Sequence, residues 1–328
     1  MANRALRLGV ILALLLIAAA LFSMCAGASG ASLWSGLSDL ITGVSSPEAR
    51  IILYIRLPRV IAAIMAGAAL SCAGVIIPGV LGNPLAGPNI IGVNAGAGFM
   101  TLLAAALAVP AYLLPMAAFS GALLAAAVIM LLSGAMGASK VTVVLAGVAL
   151  SSIISAGTDL ITTIDPDATL GMSTFMIGGF SGVTEAKLKA AACYILPAIA
   201  AAIITCGELD ILGMGDEAAQ SVGMRVRRAR TIQLIIAAIL AGAAVSFSGL
   251  LGFVGLIIPH GVRRTVGGEH RYLMPLSILA GATFVLICDT IARTAFAPYE
   301  LPVGILLSLI GGPFFLFLLI KSKRRWDE

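Results

Sequence analysis

Charge is scarce in this chain, so any chemistry has to start from the few ionisable residues inside apolar stretches. Asp289 and Arg293 stand four apart in the segment CDTIAR, a spacing that puts both on one helix face within pairing distance. Asp159 falls late in another apolar run, and Asp165 and Asp167 follow it as an acidic group with the character of an outer loop. His260 and His270 lie near the ends of apolar runs and read as hydrogen-bonded structural residues. The five cysteines (Cys25, Cys72, Cys193, Cys206 and Cys288) have neither metal-site nor disulfide spacing and read as small packing residues. Lys140 follows GAS rather than a phosphate-cradling G-x-x-x-x-G frame, and neither H-E-x-x-H nor G-x-S-x-G occurs. No catalytic residue, metal site or cofactor is assigned. A membrane-embedded enzyme would need a reactive cluster, and an ion-coupled secondary carrier would need ionisable groups near the membrane midplane. The sequence displays neither.

What it offers instead is a polar elbow, about residues 208–230. Acids come first (Glu208, Asp210, Asp216, Glu217), then arginines (Arg225, Arg227, Arg228, Arg230). The middle, GDEAAQSVG, reads as a short helix. Gly215 precedes it, Asp216 and Glu217 suit its positive end, Ala218, Ala219 and Ser221 continue it, and Gly223 suits its C-terminal cap. A solvated loop is the plain alternative. Capping at both ends, with arginines following, points to an element gripped by a water-soluble partner.

The elements around this elbow are membrane spans. Of 328 residues, 60% are hydrophobic and 11% charged, with mean hydropathy +1.09. Soluble domains carry about 25% charged residues. The fold class is therefore all-α, a polytopic membrane protein forming a single domain over residues 1–328. Its 37 glycines suit closely packed helices. Spans are expected near 6–26, 59–79, 92–109, 112–133, 142–164, 190–206, 229–248, 257–267, 272–294 and 303–321. The eighth is too short to cross about 30 Å of hydrocarbon, and glycines 249, 252 and 255 before it suggest broken backbone packed inside protein. The N-terminus imitates a signal peptide, with Arg4 and Arg7 before an apolar run and small residues near Cys25. The many following spans favour an uncleaved first helix. Segment 29–56 is moderately polar and includes Trp34, an interface-type aromatic.

With both termini in the cytoplasm, 14 of the 20 Lys and Arg residues fall inside and 6 outside, which places the elbow in the cytoplasm. The basic residues sit at span ends, so the pI of 9.1 implies contact with membrane lipid and not with nucleic acid. The outside arginines, Arg50, Arg56, Arg59 and Arg293, break the orientation rule locally.

Several further motifs are distinctive: RLPR at 56–59, NPLAGP at 83–88, FVGLIIPH at 253–260, EHR at 269–271, and LPVG with LIGGPFF between 301 and 315. With GDEAAQSVG they run in one order along nearly the whole chain. In this set the chain resembles the membrane subunit of FecCD-type ABC importers, which take up iron–siderophores, haem and cobalamin. It departs from the family pattern at Gly87, at Glu269 in EHR, and at Gly312 in LIGGP.

The resemblance implies a ten-span permease of the type II ABC importer fold, working as a homodimer in the inner membrane. It implies an ATPase dimer in the cytoplasm that docks on Gly215, Asp216, Glu217, Ala218, Ala219, Ser221 and Gly223. It also implies a solute-binding protein, periplasmic or lipid-anchored, whose acids meet Arg56, Arg59 and Arg293. The fifth and tenth spans are implied to line the path. In the tenth, Gly304, Ser308, Gly311 and Gly312 make a small-residue face. An iron chelate is the expected cargo, with haem or cobalamin as the alternative.

Overall fold

The computed structural model describes residues 2–26, 39, 46–83, 86–88, 92–135 and 140–323; of residues 133–135, 140–144, 319 and 321–323 only the backbone is considered. Trp34, Pro84, Leu85, Arg324 and Arg325 lie outside the described residues, so the expectations resting on them have no structural counterpart here.

Among the described residues every element is helical. In chain order these are α1 (Ala2–Cys25), α2 (Pro47–Ile51), a π-helical turn (Ile52–Arg56), α3 (Leu57–Leu81), α4 (Val93–Ala106), α5 (Leu114–Ala135), α6 (Lys140–Ile164), α7 (Pro166–Ile177), α8 (Glu185–Ile204), α9 (Cys206–Gly213), α10 (Asp216–Ser221), α11 (Val226–Ser248), α12 (Val254–Val266), α13 (His270–Thr294) and α14 (Val303–Lys323), with a short 3-10 turn before α5. Ten of these coincide with the ten expected spans. Seven are long and apolar enough to cross a bilayer, counting α2–α3 as one continuous span, while α4 and α14 give shorter apolar helices. Three elements were not foreseen as helices. They are α2, whose cap is the Ser46 hydroxyl accepting from the Ala49 N–H, and α7 and α9.

α3 is the axle of the bundle. It touches α1, α8, α9, α11, α12 and α13, and nearly all of its central stretch is buried. No alternation of polar and apolar faces is visible along it, as befits a helix enclosed on every side. Glycine makes this enclosure possible. A Cβ on Gly67 would stand 2.2 Å from the Gly281 carbonyl oxygen of α13, and one on Gly74 would stand 2.0 Å from that of Gly255 in α12. Where lipid supplies no hydrophobic drive between helices, such close backbone approach is what dispersion needs to hold them. By contrast α1 and α6 expose most of their apolar surface.

Candidate functional site

The helices run between two ends where the polar residues collect. At one end the chain turns through α9 and α10, the elbow. α10 begins after Gly215 (φ +102), with Asp216 and Glu217 in its first turn. It closes with paired main-chain bonds. The Met224 N–H donates to the Ala219 carbonyl at 3.0 Å, and the Gly223 N–H donates to the Gln220 carbonyl at 2.9 Å. This is a Schellman cap, and it needs Gly223 in the left-handed region, where it sits at φ +84. Ala219 is fully buried and seats the helix, while Glu217, Gln220, Ser221 and Val222 are exposed. The Arg230 guanidinium, on the first turns of α11, bonds Asp216 Oδ1 at 2.5 Å. Met214 and Val222 are exposed apolar residues flanking the helix. The surface is thus a short knob, closed at its C-terminal end, with mixed apolar and charged sides. In α9 burial, with the Asp210 carboxylate next, pushes the Cys206 thiol up.

At the far end, the expected pair Asp289–Arg293 lies 3.8 Å apart. The stronger partner of Asp289 is Arg59 of α3, whose Nε approaches its oxygens at 3.0 and 3.2 Å while NH2 donates at 3.0 Å. Arg59 NH1 also meets Glu300 at 2.6 Å. Arg293 donates to both the carbonyl and the hydroxyl of Ser23, and Arg56 donates to the carbonyls of Met24 (2.7 Å) and Cys25 (3.2 Å). All three arginines are buried. The guanidinium groups face inward, where two carboxylates and the last carbonyls of α1 already engage them, and only Glu300 of this group is substantially exposed. A partner 230 residues away in sequence leaves no local signal, so the sequence disclosed the i,i+4 pair and not the principal one.

The small-residue face of α14 also divides. A Cβ on Gly304 would come within 1.9 Å of the Ile177 carbonyl oxygen, and one on Gly311 within 2.2 Å of the Phe253 ring. These two glycines are packing notches against the chain itself, and both are buried. Ser308 is exposed, and a Cβ on Gly312 would meet nothing within 4 Å, so these two face open space. Phe253, the residue seated in the Gly311 notch, holds φ +64 although it is not glycine. The cost is about 1–2 kcal/mol, met by the packing around it.

Near the far end a cavity of about 210 Å³ with mixed polar and apolar walls lies between α4, α5, α7 and the turn after α11, with Thr174, Ser181, Lys187 and Ser246 among its lining residues. Main-chain bonds stitch that region. The Leu250 N–H donates to Phe175, the Gly179 N–H to Ser248, and the Gly304 N–H to Gly178. α7, expected as loop, is therefore the element that joins the ends of α11 and α14. Its start was available in the sequence, since the Asp165 side chain accepts from the Ala168 N–H with Pro166 at the first helical position. Neither histidine joins a metal cluster, and no group of three potential ligands occurs among the described residues.

The chain is similar along most of its length to known proteins. The chain is 37% identical to the hemin transport system permease protein HmuU of Yersinia pestis, over 98% of this chain and 97% of that one. It is 36% identical to the Fe(3+)-citrate import system permease protein YfmE of Bacillus subtilis, covering 96% and 95%. It is also 36% identical to the cobalamin import system permease protein BtuC of Halobacterium salinarum, covering 90% and 82%. A solved structure described as an inward-facing ABC transporter of metal-chelate type superposes with a TM-score of 0.86 at 30% identity, over 96% of this chain and 99% of that one. The model of the FecCD transport family matches residues 15–321, and with that match over nearly its full length this permease chain belongs to the FecCD transport family.

Proposed function

We propose that this chain is the permease half-channel of an ABC importer for an iron chelate. Two copies would enclose the path, a separate ATPase dimer would work the elbow from the cytoplasm, and a solute-binding protein would deliver cargo at the far end. The observation that carries this reading is the elbow. It is a helix of only six residues, opened by Gly215 and closed by the Gly223 cap, and it stands out from the bundle with its outer face exposed. A helix this short has no stability of its own, so its rigid display in water suits a docking knob. ATP closure in the attached subunits would bias the bundle between two access states through this contact. The chain contributes no covalent step.

The remaining parts support the same reading. α6 and α14, the fifth and tenth expected spans, carry exposed apolar residues such as Leu145, Ile153, Leu309 and Phe317, and Ser308 beside them is open. These faces suit a second copy and a path between the copies. The far end would receive the binding protein, with Arg59 reachable only at its edge, beside Glu300. Both termini lie in the cytoplasm of an inner-membrane protein on this reading. The relatives named for hemin, Fe(3+)-citrate and cobalamin support a metal-chelate cargo.

Co-expression with an ABC ATPase from the same organism tests the core of the proposal. A complex that survives purification and is lost on Gly223→Val supports it. Failure of any ABC ATPase to bind, or a protease-sensitive elbow on the outer face of sealed vesicles of known orientation, overturns it. Uptake of iron-55 citrate, hemin and cyanocobalamin by the complete assembly then separates the cargo classes.

A further inference from the structure

An elbow that is pushed has to be attached to something that moves, and its two helices are attached differently. α10 is held to the bundle by the half-exposed Asp216–Arg230 pair and by Ala219. α9 is gripped from two sides. Its Leu209 and Leu212 are buried. On one flank Gln233 of α11, fully buried, donates from Nε2 to the Thr205 carbonyl at 3.1 Å and lies 3.5 Å from Glu208. On the other flank Asp210 takes hold of His270. The His270 main-chain N–H lies 3.1 and 3.3 Å from the two carboxylate oxygens, and Nδ1 lies 2.6 Å from Oδ1.

His270 is the first residue of α13, and Glu269 at the cap position makes no capping bond. Asp210 therefore does from another element what a capping side chain does locally. It satisfies an orphan N–H and sets a carboxylate at the positive end of a 25-residue helix. The imidazole is buried, and it lies against the end of α3: a Cβ on Gly79 would be 3.2 Å from His270 Nε2 and 3.4 Å from Leu209. α3, α9 and α13 thus meet at one side chain. From there α3 and α13 run together through the Gly67–Gly281 crossing to the Arg59–Asp289 clasp, fastened at both ends and in the middle.

We propose that Asp210 and His270 form the joint through which the elbow drives the paired helices α3 and α13. They are positioning residues for transport and touch neither cargo nor nucleotide. The proposal rests on the docking reading of the elbow, and the test separates the two.

The full chain, reconstituted in nanodiscs with its ATPase, carries spin labels at two sites in separate samples. Gln220→Cys reports the distance between the two elbows. Ile291→Cys, exposed on the last turns of α13, reports the distance between the two far ends. The exposed Cys25 and Cys193 and the half-buried Cys206 are replaced by serine in both. Trapping with ATP and vanadate is expected to change both distances when the joint is intact. With Asp210→Ala the elbow change should persist while the far-end change falls about fivefold, the scale of a typical coupling loss. Asp210→Asn keeps an acceptor for the His270 N–H, and His270→Asn keeps that main-chain bond while losing the imidazole, so both should fall between. A far-end change undiminished in Asp210→Ala overturns the joint. So does a loss of both changes together in all three variants, which is what a purely structural role would give. If the intact chain shows no elbow change on trapping, the docking reading itself fails and takes the joint with it.

Discussion

Replacing Asp289 by alanine strands two guanidinium groups inside the far end of the bundle. The carboxylate is 1% exposed and accepts three close contacts from Arg59, whose own side chain is 10% exposed, with Arg293 a further 3.8 Å away. Removing one member of a buried pair costs about 3–5 kcal/mol, because the remaining charge keeps its desolvation penalty and loses its partner. Here the survivors also repel each other, with Glu300 the one counter-charge left beside Arg59 and the neutral Ser23 oxygens beside Arg293. Glu300 itself has a side chain 40% exposed, so its bond to Arg59 is screened and is worth no more than about 1 kcal/mol. Thermal unfolding followed with a thiol-reactive dye reads the difference. Cys72 and Cys288 are buried reporters, and Cys25, Cys193 and the half-buried Cys206 are removed to silence the background. We expect Asp289→Ala to lower the midpoint by roughly 6 °C or more, and Glu300→Gln by no more than about 2 °C. The pair Arg59→Met with Asp289→Leu should recover part of the loss, since an apolar replacement of a buried ion pair is often neutral. Equal midpoints for Asp289→Ala and Glu300→Gln would refute the account of the far end as a buried clasp.

Three further outcomes follow from the packing. Gly281→Ala forces a carbon to within 1.9 Å of Ser71 Oγ and should cost about 1–3 kcal/mol in the same unfolding assay, whereas Gly171→Ala, with nothing within 4 Å, should be neutral or slightly stabilising. Gly223→Val puts a branched side chain at φ +84, about 1–2 kcal/mol against the cap, and should release the ATPase in pull-down, while Gly223→Asn should retain it. Gly311→Ala should reduce folded yield by meeting the Phe253 ring, and Phe253→Ala in the same chain should restore part of it, with a coupling of about 1 kcal/mol or more in a double-mutant cycle of midpoints.

How far the sequence disclosed the molecule depended on the range of each interaction. The ten apolar runs and the capped elbow were legible because hydropathy and capping are local. Gly215, Asp216, Glu217 and Gly223 each stand where their residue type alone would put them. α7 was missed because twelve residues of mixed polarity give no periodic face, and only the Asp165–Pro166 pair marked its start. The clasp was half legible. Asp289 and Arg293 share a helix face, but Arg59 and Glu300 reach Asp289's neighbourhood only through tertiary packing. The glycines of α14 show the same limit. Spacing placed Gly304, Ser308, Gly311 and Gly312 along one side of a helix, and only the neighbours could say that Gly304 and Gly311 are filled by the chain's own atoms.

The grip of Arg56 and Arg293 on the end of α1 has a consequence for how the chain is made. Ser23, Met24 and Cys25 offer main-chain carbonyls that a helix end leaves without partners, and the donors that satisfy them come 31 and 270 residues later. At about 5–20 residues per second, a ribosome needs on the order of 15–50 s to go from the first group to Arg293. During that interval the first helix waits in the bilayer with its final anchor not yet synthesised. Insertion of the leading span and its locking into place are therefore separate events in biogenesis, and a nascent chain stalled before residue 293 would hold a first helix fastened by Arg56 but not yet by Arg293.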